Sequence, residues 1–318
     1  MVKLTKQEAK LARSFNEKVG RYTNTIDGFA ELRLQIEGPG QIDAVHVPSL
    51  ARMHPSRLRL HENTYYVDWT GMTQLNKVCA YRANIVEWPA QASLIPNLHH
   101  LDLTFCHTLN MAACCTWSSL QTLKLNTCNN IEEIPAEISN LTNLQELDLL
   151  FMNNLQRIAS LRGCTNLKHL NLFHCESLTG KVVLPLGIEK LRINTCPLNY
   201  GDVFASICAC TNLTTLQLIW MRFDDQLPDC LYNLVKLKNI HISDCLLKGE
   251  ISPRFADMTK LEDLNLSRNQ LTGTVPDDVA KMPSLKKLDV STNWGLGGQI
   301  IRAGKHIYAS DTNIKVVT

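Results

Sequence analysis

The stretch Leu120 to Pro135, LQTLKLNTCNNIEEIP, begins with a short alternating apolar segment and ends in a turn. Leu123 and Leu125 are two residues apart, and side chains two apart lie on the same face of a strand. The segment therefore predicts a short strand with one buried face. Cys128 follows this strand, and Ile131 supplies the next apolar position. One strand of this length cannot bury its leucines alone, so similar segments are expected elsewhere in the chain.

The same pattern recurs over most of the sequence. Copies begin at residues 98, 120, 144, 167, 188, 213, 237, 261 and 285, in steps of 21 to 25 residues. A weaker copy begins at Leu75, and a trace of another lies at Ile307 to Ile314. A repeat of this length is one structural unit whose apolar face is buried by its neighbours. The sequence thus predicts a solenoid of about 10 coils over residues 75–318, with a parallel sheet on its concave face.

Several units also carry apolar residues three apart after the strand. Ile138 with Leu141 and Val279 with Met282 are examples. This spacing suits one helical or 3₁₀ turn that closes each coil.

The units resemble the leucine-rich repeat family over residues 75–318. LEDLNLSRNQLTGTVPDDVAKMPS, from Leu261, is similar to the plant-type repeat, and GCTNLKHLNLFHCESLTG, from Gly163, is similar to the cysteine-containing repeat. The resemblance implies an α/β solenoid of horseshoe shape and a role in binding other proteins.

The ninth position of each unit forms a ladder of small or sulfur-containing side chains. From the second unit onward it reads Cys106, Cys128, Met152, Cys175, Cys196, Met221, Cys245, Asn269 and Asn293. The resemblance implies that these side chains point inward and bond to backbone groups of neighbouring coils. A thiol is a weak donor that can take this place, whereas a thioether cannot donate. We therefore expect the loops after Met152 and Met221 to deviate.

Cysteine usage and the N-terminus predict a reducing compartment. The chain has 12 cysteines without paired C-x-x-C motifs, so neither a zinc site nor another metal site is expected. MVKLTKQEAKLARSFNEKVG has no apolar secretory core, which predicts free thiols, no disulfides and a cytoplasmic location. A mitochondrial targeting helix is the alternative. N-x-S/T sequons at Asn140, Asn212 and Asn265 are then interpreted as by-products of repeat spacing.

Charge and motifs exclude several classes of function. The net charge of +2 gives no strong field for nucleic acid or an anionic membrane, and no apolar run approaches the ~20 residues of a membrane span. G-x-x-x-x-G-K-S/T, H-E-x-x-H and G-x-S-x-G are absent, so no enzyme and no cofactor are predicted.

Positions seven and eight of the units are expected to project from the concave face. In the first seven units they are often large and apolar, and in later units they are polar or charged. Because neighbouring strands lie about 5 Å apart, the apolar members are predicted to merge into one binding patch. The candidate partner-binding residues are Tyr81, Arg82, Phe105, Leu150, Phe151, Phe173, His174, Ile219, Trp220, Asp244 and Arg268.

Residues 1–74 are predicted to form an N-terminal cap. An amphipathic helix is expected around Leu11, Phe15 and Val19, followed by alternating segments such as ELRLQIEG and LRLHENTYYVDW. Those segments are either cap strands or two degenerate coils, and a separate docking module is the remaining alternative.

The sequence thus favours a non-catalytic interaction or scaffold subunit of a larger complex, with a partner protein on the concave face. The alternative is a substrate-recognition subunit of a ubiquitin ligase, because cysteine-containing repeats resemble those attached to F-boxes. Residues 1–74 show no clear F-box pattern.

Overall fold

The computed structural model describes residues 31–34, 45–47, 56–62, 64–301 and 304–317. Its main element is a thirteen-stranded sheet, here called the inner sheet, in which every neighbouring pair is parallel. Its strands are Glu31–Leu34 (β1), Arg57–His61 (β3), Lys77–Tyr81 (β5), His100–Thr104 (β7), Thr122–Asn126 (β8), Glu146–Leu150 (β10), His169–Phe173 (β12), Lys190–Asn194 (β13), Thr215–Ile219 (β14), Asn239–Ser243 (β15), Asp263–Asn265 (β16), Lys287–Asp289 (β18) and His306–Tyr308 (β20).

The pairing register places equivalent repeat positions side by side. Leu123 pairs with Leu147, and Leu147 pairs with Leu170, so the inward leucines stack from coil to coil. Leu123, Leu125 and Leu147 are 0% exposed. The predicted solenoid with a concave parallel sheet is therefore confirmed.

Further strands and helices complete the coils outside the inner sheet. The remaining strands are Val45–Val47 (β2), Thr64–Val67 (β4), Asn84–Ile85 (β6), Glu133–Ile134 (β9), Arg157–Ile158 (β11), Thr272–Thr274 (β17), Gly295–Ile301 (β19) and Asn313–Val317 (β21). The α-helices are Met111–Cys114 (α1), Tyr200–Ile207 (α2) and Asp277–Ala280 (α3), and the 3₁₀ helices are Ala92–Leu94, Ala136–Asn140, Leu161–Gly163, Asp229–Asn233 and Pro253–Asp257. Within the described ranges no helix has the length and apolar character needed to cross a membrane.

The strand stacking continues into the N-terminal region. β1 pairs with β3, and β3 pairs with β5, in the same parallel arrangement as the later coils. The predicted helix around Leu11 to Val19 lies outside the described residues, and the boundary between residues 74 and 75 stays a prediction.

The ladder position works differently with asparagine than with cysteine. The Asn269 amide oxygen accepts hydrogen bonds from the Cys245 and Leu247 N–H groups (3.0 and 3.1 Å), and its nitrogen donates to the Ile242 carbonyl (2.8 Å). The Cys128 thiol only reaches the Leu103 carbonyl at 3.8 Å. Amides therefore join neighbouring coils more strongly than thiols.

The two methionines at the ladder do not behave alike. The turn after Met152 has the Leu155 N–H to Met152 carbonyl bond (3.0 Å), and the turn after Cys128 has an equivalent bond at 3.1 Å. The expected deviation is thus wrong at Met152, since the turn is closed by the backbone. After Met221 the loop does differ, because Asp224 has a left-handed φ of 53°.

We expect Asn269→Ala to destabilise the chain more than Cys128→Ala. Removing the amide leaves two buried N–H groups unpaired, which costs about 3 kcal/mol or more. Removing one thiol leaves a small void and breaks weak bonds, which costs about 1 to 2 kcal/mol. Urea unfolding measures both, and equal losses would show that the amide bonds are not specially stabilising.

One disulfide joins adjacent coils on the outer side. Cys208, at the C-terminal end of α2, bonds to Cys230 in the 3₁₀ helix Asp229–Asn233, with alpha carbons 5.6 Å apart. The prediction of no disulfides is therefore wrong. The two cysteines are 22 residues apart, about one coil, and they do not belong to the ladder. Cys106 and Cys128 of the ladder are free thiols.

The double variant Cys208→Ala/Cys230→Ala is expected to unfold with a free energy about 3 kcal/mol below that of the unaltered chain, because the closed loop no longer restricts the unfolded state. Dithiothreitol should lower the stability of the unaltered chain by a similar amount. The variant serves as the control, since a reductant should not affect it. A chain equally stable with and without reductant would contradict this expectation.

Candidate interaction surface

The eighth position of each coil is held in a left-handed backbone conformation. φ is 54° at Phe105, 53° at Phe151 and 57° at Trp220, and Thr127 and Thr195 share this conformation. Each N–H at this position donates to the next coil, as from Phe151 to the Phe173 carbonyl (2.7 Å). The stacking therefore imposes the conformation, although it costs about 1 to 2 kcal/mol for a residue with a side chain.

This conformation defines a row of side chains along the carboxyl ends of the inner-sheet strands. We call positions seven and eight of the coils the rim. It contains all the predicted partner-binding residues, namely Tyr81, Arg82, Phe105, Leu150, Phe151, Phe173, His174, Ile219, Trp220, Asp244 and Arg268.

The first group on the rim combines two aromatic rings with a guanidinium. The Tyr81 and Phe105 rings meet edge to face at 6.0 Å, and the Arg82 guanidinium lies 5.4 and 5.3 Å from their centroids. His61 stacks on Tyr81 from the preceding coil, with centroids 5.0 Å apart. Arg82 also faces Glu62 at 3.7 Å. The group offers an apolar surface with a cation at its edge.

The second group is built by two adjacent coils. The Phe151 ring lies 5.1 Å from the Phe173 ring and is stacked on His174 at 5.3 Å. Phe151 is 45% exposed, whereas Leu150, Phe173 and His174 are half-buried around it. Phe151 is therefore the raised centre of this group.

Trp220 forms a third apolar point beside half-buried Ile219. It is 61% exposed. A coil with asparagine and threonine at the rim separates each group from the next, with Asn126 in the first gap and Asn194 in the second. The polar coils separate the apolar residues into three groups, and their merging into one binding patch stays a prediction.

Charged residues follow on the rim after Trp220. Asp244 and Arg268 face each other across neighbouring coils, with Oδ1 and Nη1 4.0 Å apart. Burial raises the pKa of Asp244, and the charge of Arg268 opposes that shift. This end of the rim can orient a charged partner group.

The floor of the concave face is polar. From β7 to β18, positions three and five carry only polar side chains, which include His100, Asp102 and Lys124. The Lys124 ammonium lies 2.7 Å from the Glu146 carboxylate and 3.0 Å from that of Asp148. Burial alone lowers the pKa of Lys124, but these hydrogen bonds raise it overall. Apolar contact is therefore concentrated on the rim.

Sequence reasoning missed some exposed apolar residues. Trp294 is 71% exposed directly after the ladder residue Asn293, and Leu246 is 38% exposed after Cys245. Both residues occupy position ten of their units. The repeat pattern assigned only positions seven and eight to the rim. Tyr308, 48% exposed, lies at position five of the final trace.

Comparisons with known proteins agree with this architecture. A leucine rich repeat family profile matches residues 235–293. No curated protein matches the sequence. The plant peptide hormone receptor RGFR1, solved in complex with RGF2, is similar in structure: the TM-score is 0.58 with 19% identity over 90% of this chain and 51% of that chain.

Two further solved structures are similar. The leucine-rich repeat ectodomain of the membrane receptor kinase GASSHO1/SCHENGEN3 from Arabidopsis thaliana, in complex with CASPARIAN STRIP INTEGRITY FACTOR 2, gives a TM-score of 0.60 with 18% identity over 92% of this chain and 37% of that chain. The functional domain of InlJ from Listeria monocytogenes, which includes a cysteine ladder, gives 0.57 with 14% identity over 85% of this chain and 63% of that chain.

The chain therefore has the leucine-rich repeat fold, and its residues 235–293 match the family's profile. Leucine-rich repeats are typically non-catalytic and commonly bind proteins on extended concave surfaces. The chain spans about half the length of RGFR1 and less of GASSHO1.

The prediction of a reducing, cytoplasmic location is wrong. The Cys208–Cys230 disulfide is typical of oxidising compartments. The disulfide therefore contradicts a reducing compartment.

Neutralising substitutions at two aspartates of the floor are expected to change the free energy of unfolding in opposite directions. Burial raises the pKa of Asp102 in the folded chain, so its ionisation opposes folding above the unfolded pKa. Asp102→Asn should raise the free energy of unfolding at pH 7, and this gain should vanish below about pH 4, where the unfolded carboxyl is also protonated. Asp148→Asn should lower the free energy of unfolding at pH 7, because the Lys124 ammonium loses one of its carboxylate partners.

Urea unfolding between pH 3 and 8 measures both variants. A stability loss from Asp102→Asn at pH 7 would contradict the expectation.

Proposed function

We propose that this chain is a non-catalytic interaction module that holds an extended segment of a partner protein along the rim. The observation that carries the proposal is the exposure of Phe105, Phe151 and Trp220, which are 38%, 45% and 61% exposed. Each ring is held by a backbone conformation that hydrogen bonds between coils enforce.

Exposed aromatic rings on a fixed backbone suit binding energetically. Covering apolar surface contributes about 25 cal/mol per Å², and backbone that is already fixed by bonds between coils loses little conformational entropy on binding. Trp, Tyr and Arg are also frequent among the residues that dominate interface energies. Arg82 and Trp220 are of this kind.

The spacing of the rim groups favours an extended partner segment. Phe105 and Phe151 are two strands apart, and Phe151 and Trp220 are three strands apart. With about 4.8 Å between strands, these separations are roughly 10 and 14 Å, which an extended chain covers in about three and four residues. A segment with bulky apolar residues at those intervals fits the rim, and Asp244 and Arg268 would orient its charged end.

The comparisons support this proposal by analogy of fold. RGFR1 and the GASSHO1/SCHENGEN3 ectodomain were both solved in complex with a binding partner. A scaffold role within a larger complex is the finer form of the proposal. The ubiquitin ligase alternative depends on residues 1–74, where the structure describes only residues 31–34, 45–47, 56–62 and 64–74.

Selection of random peptides displayed on phage, with the full chain immobilised, tests the proposal. The unaltered chain should enrich sequences with bulky apolar residues at the intervals given above. The double variant Phe151→Asp/Trp220→Asp should lose at least tenfold in affinity for those peptides, since a buried carboxylate on each ring site costs more than ~1.4 kcal/mol.

The matched control is Leu186→Asp/Val235→Asp. These residues are 55% and 48% exposed, but they lie just before β13 and β15, at the opposite edge of the inner sheet. The control should bind as the unaltered chain does. Loss of binding in both double variants, or in neither, would refute the rim as the binding surface.

A further inference from the structure

The three N-x-S/T sequons lie in different surroundings. Asn140 ends the 3₁₀ helix Ala136–Asn140 on the outer side of its coil, Asn212 precedes β14, and Asn265 lies in β16 of the inner sheet. An oxidising compartment, indicated by the Cys208–Cys230 disulfide, is also where N-linked glycans are attached.

Asn140 has an accessible side chain. Asn140 and Thr142 are exposed, whereas Leu141 between them is 0% exposed and anchors the segment in the core. Within the described residues the Asn140 side-chain amide makes no hydrogen bond, and the Asn140 backbone carbonyl accepts one from the Thr142 N–H at 2.9 Å. A sugar on its nitrogen would extend into solvent, away from the rim.

In the other two sequons the asparagine side chain takes part in hydrogen bonds of the fold. The Asn212 amide oxygen accepts a hydrogen bond from the Lys236 ammonium at 2.7 Å. The Asn265 oxygen accepts hydrogen bonds from the Ser267 N–H (2.9 Å) and hydroxyl (2.7 Å). A glycan at Asn265 would also lie on the concave floor between β15 and β18.

We propose that Asn140 is an N-glycosylation site and that Asn265 stays unmodified. The Asn140 amide nitrogen forms a bond to the anomeric carbon of a lipid-diphosphate-linked oligosaccharide, supplied by a membrane oligosaccharyltransferase. The bond from that carbon to the diphosphate oxygen breaks, the lipid diphosphate leaves, and the amide proton passes to a base on the transferase. No oxidant or reductant takes part. The glycan covers the outer side of the coil and leaves the rim free.

Peptide mapping of the full chain from its native source tests this assignment. Treatment with peptide N-glycosidase in heavy-oxygen water converts a glycosylated asparagine to a labelled aspartate. We expect label at residue 140 in most molecules and none at residue 265. An unlabelled Asn140 peptide, or label at residue 265 in most molecules, would overturn the proposal.

Variants in the same cells separate the sequon chemistry from other modification. Asn140→Gln and Thr142→Ala should each remove one glycan from the intact mass, whereas Thr142→Ser should keep it, because serine retains the hydroxyl that the sequon requires. Modification of residue 140 in the Thr142→Ala variant would refute a sequon-dependent site. None of these changes touches the rim, so peptide selection should be unaffected, and the proposed binding function is tested independently.

Discussion

The structure depends on the stacking of inward leucines between adjacent coils. Leu123, Leu147 and Leu170 lie side by side in register on neighbouring strands, and all three are buried. Because no coil has a core of its own, the backbone bonds between coils must also be complete. The ladder residues complete them where strand becomes loop, with amides at Asn269 and Asn293 and with weaker thiols in earlier coils.

The same stacking creates the rim. Donation of each position-eight N–H to the next coil holds that residue at a left-handed φ, whichever side chain it carries. Threonines at Thr127 and Thr195 adopt it as Phe151 and Trp220 do, so the conformation belongs to the fold and the side chain is free to serve binding. Functional variation can thus occur on the rim without altering the core, because Leu149 and Leu218 beneath it face inward.

The cysteines show how one residue type serves separate purposes. Burial raises the pKa of the Cys128 and Cys245 thiols to about 12, so they remain protonated and can donate to carbonyls of the preceding coil. Cys208 and Cys230, on the outer side, lie one coil apart and bond to each other. This disulfide links the coil that carries Trp220 to the preceding coil, and it indicates an oxidising environment.

The sequence alone determined the solenoid, because the leucine spacing and the repeat length admit only stacked coils. It also placed Phe105, Phe151 and Trp220 at the same position of their units, since the repeat period aligns equivalent positions along the sheet. Only the structure showed the left-handed backbone conformation that these three residues share. Only the tertiary structure decided that polar Asn126 and Asn194 divide the apolar residues into groups, and that Trp294 is exposed. It alone brought Cys208 to Cys230 and distinguished Asn140 from Asn265. These features depend on which side chains meet across neighbouring coils, and a repeat pattern gives the order of positions along a coil but not the contacts between the variable ones.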